Sequence, residues 1–345
     1  MKKASVSQQQ IARDLGVSQA LVSLVLNGKG ENISRDSYDR IWKYAVKVGY
    51  RPKGMQLNGT PAMASNVGFI LRAGVRLYTQ SNYFSHIQHG LHTGLLERGY
   101  HTFFFGSEDD LRIKTFQQRL KHHQLFGLVI LGEVDKQFLK AVKLVQKNVV
   151  AVSATYPGLC HSVMPNERQS LQLLAEHLIA LGHKQFGWIG GNRNLNVNAR
   201  RHEALVEALE HHGLKLADKF IEEVDGGDRL DGWKAAESLL SRVTRQRHPT
   251  ALICLNGLMA RGAINCLTAN GWHVPQDISV VAVDATRVCV EEHPEITGAH
   301  ADPEKIGLKA AELLLQALNS SPDESFSDVI LPAVLTERES SGKVA

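Results

Sequence analysis

The sequence predicts an N-terminal all-α helix-turn-helix head, followed by an α/β body made of two doubly wound parallel-sheet lobes. Three observations lead to this fold class. In the first fifty residues, apolar side chains recur at helical spacing around a glycine turn. From residue 67 onwards, short apolar runs alternate with amphipathic segments. This alternation forms two consecutive series along the chain. At 345 residues, the chain is also long enough for about two or three domains.

Two short helices joined by a tight turn are predicted at the start of the head. Ile11, Ala12 and Leu15 form one apolar helical face, and Gly16 ends that helix. Ser18 can cap a second helix, along which apolar residues again recur at helical spacing: Leu21, Val22, Val25 and Leu26. A third helix should follow, built from Ser34 as its cap and from Tyr38, Ile41, Trp42, Ala45 and Val48. The second helix of a helix-turn-helix enters the DNA major groove; a generic helical hairpin is the alternative.

The charge distribution favours the helix-turn-helix over the generic hairpin. Residues 1–60 contain ten Lys or Arg and four Asp or Glu, which is a net charge of +6. Because the whole chain carries +4, residues 61–345 carry −2. The basic excess is therefore confined to the head, where it can neutralise phosphates and make DNA affinity depend on salt.

Short apolar strands alternate with helices along the body. Strands are predicted at 67–71, 102–105, 127–131, 149–152, 185–189, 251–255 and 279–283. Helices are predicted at 84–98, 111–123, 136–147, 171–181, 200–212, 233–243 and 258–270. Apolar strands that alternate with helices are typical of parallel sheets, whose carboxyl ends line ligand sites. The repeated rhythm predicts two lobes with a cleft between them.

Composition and motifs argue against membrane, secreted and metal-dependent classes. No apolar run approaches the roughly 18 residues of a membrane span, and polar residues 7–10 follow the basic N-terminus where a signal peptide would be apolar. The four cysteines are widely spaced, which is typical of reduced thiols in a cytoplasmic protein. Adjacent histidines point about 100° apart on a helix and do not share a metal face. We find no catalytic motif, and we expect no cofactor, no metal and no enzymatic activity.

Several motifs in a fixed order resemble the LacI/GalR family of bacterial transcription regulators over nearly the whole chain. In the head, these motifs are IARDLGVSQALVSLVLN at 11–27 and GYRP at 49–52. In the body, they are HLIALGH at 177–183, FGWIGG at 186–191, RHEALVEAL at 201–209, VPQDISVVAVD at 274–284 and LTERES at 335–340. Each motif is weak by itself, but their order and spacing together are specific.

The resemblance implies a division of the chain into three parts. They are a DNA-binding head at 1–53, a hinge at 54–65, and an effector-binding and dimerisation body at 66–345, folded like the periplasmic sugar-binding proteins. The chain would pass between the lobes near 164–166, 297–299 and 325–329. The hinge-side lobe would then comprise about 66–164 plus 298–327, and the distal lobe about 165–297 plus 328–345.

The resemblance also assigns DNA contacts to the head. Ser18, Ser23 and Asn27 match positions that contact backbone phosphates, although Ser18 can serve as a helix cap as well. Gln19 and Ala20 match two positions that read bases. A Gln can hydrogen-bond an adenine edge, and an Ala can touch a thymine methyl group.

Other candidates in the head depart from the family pattern. Leu21 and Leu24 stand where many relatives have Thr and Arg. Because a Leu side chain donates no hydrogen bond, the head either reads an A/T-rich half-site by apolar contact or relies on Gln9 and Gln10. Ser7 is also expected to contact DNA.

The hinge departs further from the family. The Leu that relatives wedge into the minor groove would fall on Gly59, which has no side chain. Leu57 and Met55 are the nearby apolar candidates; wedging by Leu57 is weighed against a plain linker as the alternative.

Effector contacts follow from the same resemblance. Arg201 matches an Arg that binds ligand hydroxyls or a carboxylate, and Asn256 and Asp284 stand at the ends of predicted strands. The alternatives are that Arg201 is a surface helix residue and that Asp284 is a turn cap. Tyr83 and Phe84 stand where relatives face the cleft, although one of the two is expected in the core.

Glycines at two places in the predicted cleft set this chain apart from its relatives. Gly257 replaces the acid that usually follows Asn256, and Gly226–Gly227 lie where relatives often present a ligand-stacking aromatic. The effector can therefore differ from a simple hexose, or the site can be degenerate.

Together these features predict a DNA-binding transcription regulator, a repressor, with a carbohydrate-like effector between its lobes. It is expected to act as a homodimer on double-stranded DNA with a pseudo-palindromic operator, in the cytoplasm at the nucleoid. A regulator with a degenerate effector site and an activator are alternatives within this class. A sugar-binding protein without a regulatory role is the alternative from another class, and the basic head argues against it. The effector and the operator sequence stay open.

Overall fold

The structure of the protein is a computed structural model that describes residues 7–26, 33, 37, 40–41, 44–45, 66–73, 82–110, 116–118, 120, 125–319 and 325–344. The DNA-contact candidates Asn27 and Leu57, the helix cap Ser34 and the hinge at 54–65 lie outside these residues. The chain divides into two compact units, Met1–Met63 and Ala64–Ala345.

Within residues 7–26, the head forms two short helices, α1 (Gln8–Leu15) and α2 (Gln19–Leu26), joined by the predicted turn. Their apolar faces meet in a small core that consists of Ile11, Ala12, Val22, Val25, Leu26, Ile41 and Ala45. The last two residues are helical, as the predicted third helix requires. The apolar spacing thus encodes a helix-turn-helix, and the structure confirms this part of the predicted fold.

Local capping explains where the two helices begin and end. The Ser7 hydroxyl accepts a hydrogen bond from the Gln10 N–H at 3.2 Å and caps α1. Gly16 ends α1 with φ at 64°, a left-handed conformation that glycine adopts without steric cost. The Ser18 hydroxyl accepts from the Leu21 N–H at 3.2 Å at the start of α2. Each boundary therefore follows from a short-range sequence signal.

The body is built from two six-stranded sheets. In chain order the strands are β1 (Asn66–Leu71), β2 (His101–Ser107), β3 (Gly127–Leu131), β4 (Val149–Val152), β5 (His161–Pro165), β6 (Phe186–Gly191), β7 (Leu216–Val224), β8 (Ala251–Cys254), β9 (Ser279–Ala282), β10 (Thr297–His300), β11 (Asp328–Leu331) and β12 (Val334–Thr336). The first sheet has the order β11-β5-β4-β3-β1-β2, and all its neighbouring strands are parallel. The second has the order β12-β10-β9-β8-β6-β7, in which β12 is antiparallel to β10.

Helices cover both faces of the first sheet. The body helices are α3 (Asn82–Leu96), α4 (Lys136–Lys143), α5 (Glu167–Ala180), α6 (Asn196–His211), α7 (Arg229–Leu240), α8 (Gly257–Ala269) and α9 (Pro303–Asn319). Helices α3 and α9 pack together against one face, and α4 packs against the other. In the second lobe, α5 packs against α6, and α7 packs against α8. The two doubly wound lobes are therefore confirmed.

The chain passes between the sheets at three places. The first passage is at Asn166, between β5 and α5, inside the predicted range. The second follows β10 and the third lies between β11 and β12, whereas the predicted ranges 297–299 and 325–329 fall inside or at the start of these strands. Strand β10 therefore belongs to the second lobe and β11 to the first, which corrects the predicted lobe limits at 298 and 328. The physical reason is that both strands continue to the edge of the cleft before the chain leaves its sheet.

The four cysteines are buried and unpaired: Cys160, Cys254, Cys266 and Cys289. Burial raises the pKa of the Cys160 and Cys266 thiols to about 11, so they stay protonated at neutral pH. None of the helices in the described ranges combines the length and apolar character that a membrane span requires.

Candidate DNA-binding face and effector cavity

The exposed side of α2 carries the residues that are expected to read bases. Gln19 and Ala20 are exposed, and Leu24 leaves 44% of its surface accessible to solvent. Leu21 and Ser23 are half-buried, and Leu21 packs against the head core. The side of α2 away from the core therefore offers one amide side chain and an apolar surface.

Two hydroxyls and one amide of the head already have partners. The Ser7 and Ser18 hydroxyls cap helices, so Ser18 is the N-cap that its position suggested. A hydroxyl that accepts one bond can still donate one, which leaves room for a phosphate contact. Gln10, one alternative base reader, donates its amide to Asp14 at 2.8 Å. This bond makes Gln10 a weaker candidate than Gln19.

A cavity of about 470 Å³ lies between the two lobes, at the carboxyl ends of the parallel strands. Residues that were expected to contact the effector all line it: Tyr83, Phe84, Arg201, Asn256 and Asp284. Other polar residues of the wall, which sequence reasoning missed, are Arg72, Glu133, Ser153, Glu167, Asn198, Asp225, Asp228, Asp231, Thr286 and His300. The volume suits a small-molecule site.

The guanidinium of Arg201 is held by a buried carboxylate. Its Nε and Nη2 donate to the two oxygens of Glu167 at 2.7 and 2.8 Å, and the side chains are 11% and 8% exposed. Nη1 donates to the Leu255 carbonyl at 2.6 Å, and Nη2 also lies 3.1 Å from Nε2 of His300. His300 Nδ1 donates to the Ala301 carbonyl at 2.9 Å, which leaves Nε2 as the acceptor of the Nη2 bond. Four of the five guanidinium N–H groups therefore have partners.

The ionised state of Glu167 depends on this arrangement. Burial by itself would raise the pKa of the carboxyl, but the Arg201 charge, the hydrogen bonds from Arg201 and the neighbouring His300 side chain outweigh it. They lower the pKa of Glu167 from 4.5 to about 2. The pair is therefore charged at neutral pH, and Arg201 is not a surface helix residue.

Asp284 and Asn256 both serve the N-terminus of α8. Asp284 Oδ2 accepts from the Gly257 N–H at 2.9 Å, and Asn256 Oδ1 accepts from the Met259 N–H at 2.9 Å. Asn256 also donates to the Gly227 carbonyl at 2.9 Å. A Cβ on Gly257 would lie 2.5 Å from Val288 and 3.1 Å from the Asp284 carboxylate. Gly257 therefore lets Asp284 supply the negative charge that favours a helix N-terminus.

Of the two neighbouring aromatic residues Tyr83 and Phe84, one lies in the core, as the sequence predicts. Phe84 is 8% exposed and joins the core under α3. The Tyr83 hydroxyl lies 2.8 Å from the Ser153 hydroxyl, and its ring meets His300 edge to face at 5.4 Å between centroids. Burial raises the pKa of Tyr83 well above its usual range, so its hydroxyl stays neutral. It can donate or accept a hydrogen bond in the cavity.

One hydrogen-bonded contact crosses the cleft and caps a helix from the opposite lobe. Helix α6 follows Leu195, which offers no side-chain cap. Glu133, in the loop after β3, accepts from the Asn196 backbone N–H at 3.2 Å and from the Asn196 amide. A carboxylate at a helix N-terminus satisfies unpaired N–H groups and favours the helix dipole. The first lobe thus supplies the cap that α6 lacks.

Replacing Glu133 by alanine is expected to loosen this end of the cleft. The lost cap is worth about 1 kcal/mol, so amide exchange at residues 196–199 should accelerate about fivefold. Hydrogen-exchange mass spectrometry would measure this rate, with Glu203→Ala, an exposed acid on the same helix, as the control. Unchanged exchange in the Glu133 variant would contradict the proposed capping role.

Glu167 and the acids near residue 228 were missed for different reasons. Glu167 begins α5 after the capping residue Asn166, so it reads as an ordinary acid in a first helical turn. Only the fold brings it against Arg201. Asp228 and Asp231 could have been found, because an acid three residues after an N-cap is the signal of a capping box.

Comparison with known proteins agrees with this architecture. The periplasmic binding protein-like domain matches residues 175–341. The HTH-type transcriptional repressor PurR of Haemophilus influenzae (strain PittEE) is 25% identical over 338 residues, which cover 96% of this chain and 97% of the relative.

Two solved structures share the fold over nearly the full length. The lac repressor dimer bound to operator and the anti-inducer ONPF matches with a TM-score of 0.71 and 21% identity, over 99% of this chain and 100% of that chain. The transcriptional regulator CelR–cellobiose complex matches with a TM-score of 0.69 and 21% identity, over 97% of this chain and 99% of that chain. With its helix-turn-helix and its two parallel-sheet lobes, the chain is similar over nearly its full length to the HTH-type transcriptional repressor PurR, and it shares the fold of these two solved regulators.

Proposed function

We propose that this protein is a sequence-specific DNA-binding repressor whose operator affinity is modulated by a small molecule bound between the lobes. The observation that carries the proposal is the presence, in one chain, of a helix-turn-helix with an exposed α2 face and of an interlobe cavity lined by polar groups. The net charge of +6 in residues 1–60 supports binding to phosphates. The domain division into a head at 1–53, a hinge at 54–65 and a body from 66 is part of the proposal.

Each face of the molecule has a proposed role. Gln19 and Ala20 would contact bases, with Leu24 beside them, and Ser18 and Ser23 would contact phosphates. Further expected contacts to DNA are Ser7, Leu21, Asn27 and Leu57. In the cavity, the proposed effector contacts are Tyr83, Phe84, Arg201, Asn256 and Asp284.

Effector binding would act on DNA affinity through linkage. The cavity wall comes from both lobes, so a ligand that touches both favours one lobe arrangement over the other. The same free-energy difference must appear in DNA affinity if the heads of a homodimer span two half-sites of a pseudo-palindrome. Such a regulator would act at the nucleoid.

Selection from a random DNA library tests the DNA-binding part directly. The full-length protein should enrich a pseudo-palindromic sequence and bind it about 1,000-fold or more tighter than random DNA at physiological salt. Fluorescence anisotropy at two salt concentrations would measure both affinities, and both should weaken as salt increases. If no sequence is enriched, or if the selected DNA binds no better than random DNA, the repressor proposal is wrong.

Gln19→Ala is expected to weaken binding to the selected operator about tenfold, because one base contact is worth about 1–3 kcal/mol. Binding to random DNA should change little, since the side chain carries no charge. Anisotropy titrations with both DNAs would separate these effects. Gln172→Ala, an exposed glutamine on α5, is the matched control. An equal loss for both DNAs would indicate a general defect of the head instead of a lost base contact.

A further inference from the structure

We infer that the effector is a small polyhydroxylated molecule that carries a protonated amine, such as an amino sugar, and is not a sugar acid or a sugar phosphate. The inference rests on the proposed function, because it concerns the ligand of the same cavity. It follows from the charge of the cavity wall, from one buried hydroxyl that has no hydrogen-bond partner among the described residues, and from the four Arg201 N–H groups that already have partners.

The cavity wall carries an excess of negative charge. Among the described residues, six carboxylates and two guanidinium groups line it, and one of each cancels in the Arg201–Glu167 pair. In the described part of the wall, Arg72 is the remaining cation, and the carboxylates left are Glu133, Asp225, Asp228, Asp231 and Asp284. None of these five forms a salt bridge with any residue that the structure describes. A cleft lined by one sign of charge concentrates ligands of the opposite sign.

Three of the acids lie where β7 passes into α7. Asp228 and Asp231 cap α7 reciprocally, and each backbone N–H donates to the other carboxylate, at 3.1 and 2.9 Å. Asp225 is exposed, and its only bond within the described chain is from the Asn192 amide at 3.3 Å. The helix N-terminus offsets about half an elementary charge, so this segment stays strongly negative.

Gly226 allows one of these carboxylates to lie against the backbone. A Cβ on Gly226 would lie 1.9 Å from Oδ2 of Asp231, so any larger residue would push the carboxylate away. The segment therefore offers charge at a place where an aromatic side chain would have offered a stacking surface.

Thr286 points to a polar ligand independently of the charge. It lines the cavity and is 4% exposed, and its Oγ1 has no hydrogen-bond partner among the residues with described positions. Leaving a buried hydroxyl unpaired costs about 1–3 kcal/mol. A ligand hydroxyl or ammonium group would remove this cost, and the Asp284 carboxylate lies two residues away in the same wall.

The same geometry disfavours two other ligand classes. Arg201 retains one N–H without a partner in the described structure, so it cannot hold a carboxylate or phosphate with two parallel bonds. Across the described ranges, no three His, Cys, Asp or Glu side chains are close enough to hold a metal ion. An organic cation is therefore the charged ligand that this wall fits.

Matched sugar panels test the inference on the full-length protein. Each panel contains a hexosamine, its N-acetyl derivative, the parent hexose and the corresponding 6-phosphate or uronate, in the gluco, galacto and manno series. In at least one series, isothermal titration calorimetry should show the hexosamine binding about tenfold or more tightly than the parent hexose. N-acetylation, which removes the charge, should abolish the advantage, and added salt should reduce it.

Two charge-removing variants identify the carboxylates responsible. Asp228→Asn removes a charge but keeps a good helix cap. Asp225→Asn removes the charge of a carboxylate that accepts one weak hydrogen bond, from Asn192. Each should reduce the preference for the hexosamine several-fold without changing binding of the parent hexose. Asp218→Asn, an exposed acid on β7 that is not part of the cavity wall, should change neither.

The panels and the variants can contradict the assignment of an amino sugar in three ways. It is wrong if a neutral or anionic sugar binds as tightly as the amine, or if the preference survives both variants. It is also wrong if no hexosamine binds. In all these cases the DNA-binding proposal stands or fails separately on operator selection, which needs no effector.

Discussion

Replacing Arg201 by alanine is expected to destabilise the body by about 3–5 kcal/mol, because it leaves the Glu167 carboxylate buried without its partner. The loss exceeds the value of the contact itself, since an unpaired charge in a site that is 8% exposed must be desolvated without compensation. Urea denaturation followed by tryptophan fluorescence would measure it. Trp188, Trp233 and Trp272 all belong to the second lobe, as the pair does.

The pH dependence gives this prediction a second readout. The folded-state pKa of Glu167 is lowered from 4.5 to about 2, so its contribution to stability is present above pH 4.5 and is lost as the pH falls towards 2. In the Arg201→Ala variant, burial without the guanidinium should instead raise this pKa. The difference in unfolding free energy between wild type and variant should therefore begin to narrow above pH 4.5, as the variant carboxyl takes up a proton, and should keep narrowing as the pH falls towards 2.

A double variant separates the charge effect from packing. Arg201→Met combined with Glu167→Leu replaces the pair by apolar side chains and should recover most of the lost stability. If Arg201→Ala alone costs less than about 1 kcal/mol, or if the double variant is no more stable, the pair does not control the stability of the cavity wall.

Gly262→Ala is expected to destabilise the body by about 2 kcal/mol or more, although alanine favours helices by about 1 kcal/mol over glycine. A Cβ on Gly262 of α8 would lie 1.9 Å from the Arg229 carbonyl oxygen of α7 and 2.8 Å from the Trp233 nitrogen. These are backbone atoms, so the two helices would have to move apart. The same denaturation experiment would measure the loss.

Thr268→Ala is the matched control on the same helix, at an exposed position. It should be neutral or slightly stabilising, because no neighbouring helix limits that position. If both substitutions increase the free energy of unfolding, α7 and α8 can move apart without loss of stability. That result would contradict this prediction.

The head and the central strands could be predicted because their signals are local. Gly16 and Ser18 mark the turn within three residues, and the caps form between neighbours in sequence. Strands such as β3 consist entirely of buried apolar residues, so their identity is visible in the sequence. Burial on both faces leaves little choice of residue.

The edge strands could not be predicted in the same way. Strand β7 lies at the edge of the second sheet and carries exposed charged residues such as Lys219, which gives it no apolar run. Strand β12, at the opposite edge, is three residues long, and the interior strand β10 with which it pairs has four residues. Their membership in a sheet depends on pairing with distant parts of the chain, and this dependence displaced two of the predicted passages between lobes.

The sequence by itself determined the class of this protein, a helix-turn-helix followed by two parallel-sheet lobes, and it identified five residues that line one cavity. The tertiary structure decided which charges and hydrogen-bonding groups that cavity presents. Arg201 meets Glu167 across 34 positions of sequence, Leu255 across 54 and His300 across 99, and four of its five N–H donors have partners as a result. Spacing encodes which residues share a helix face or a strand end. The charge left free in a cleft depends on which distant side chains pair, and only the folded chain decides those pairs.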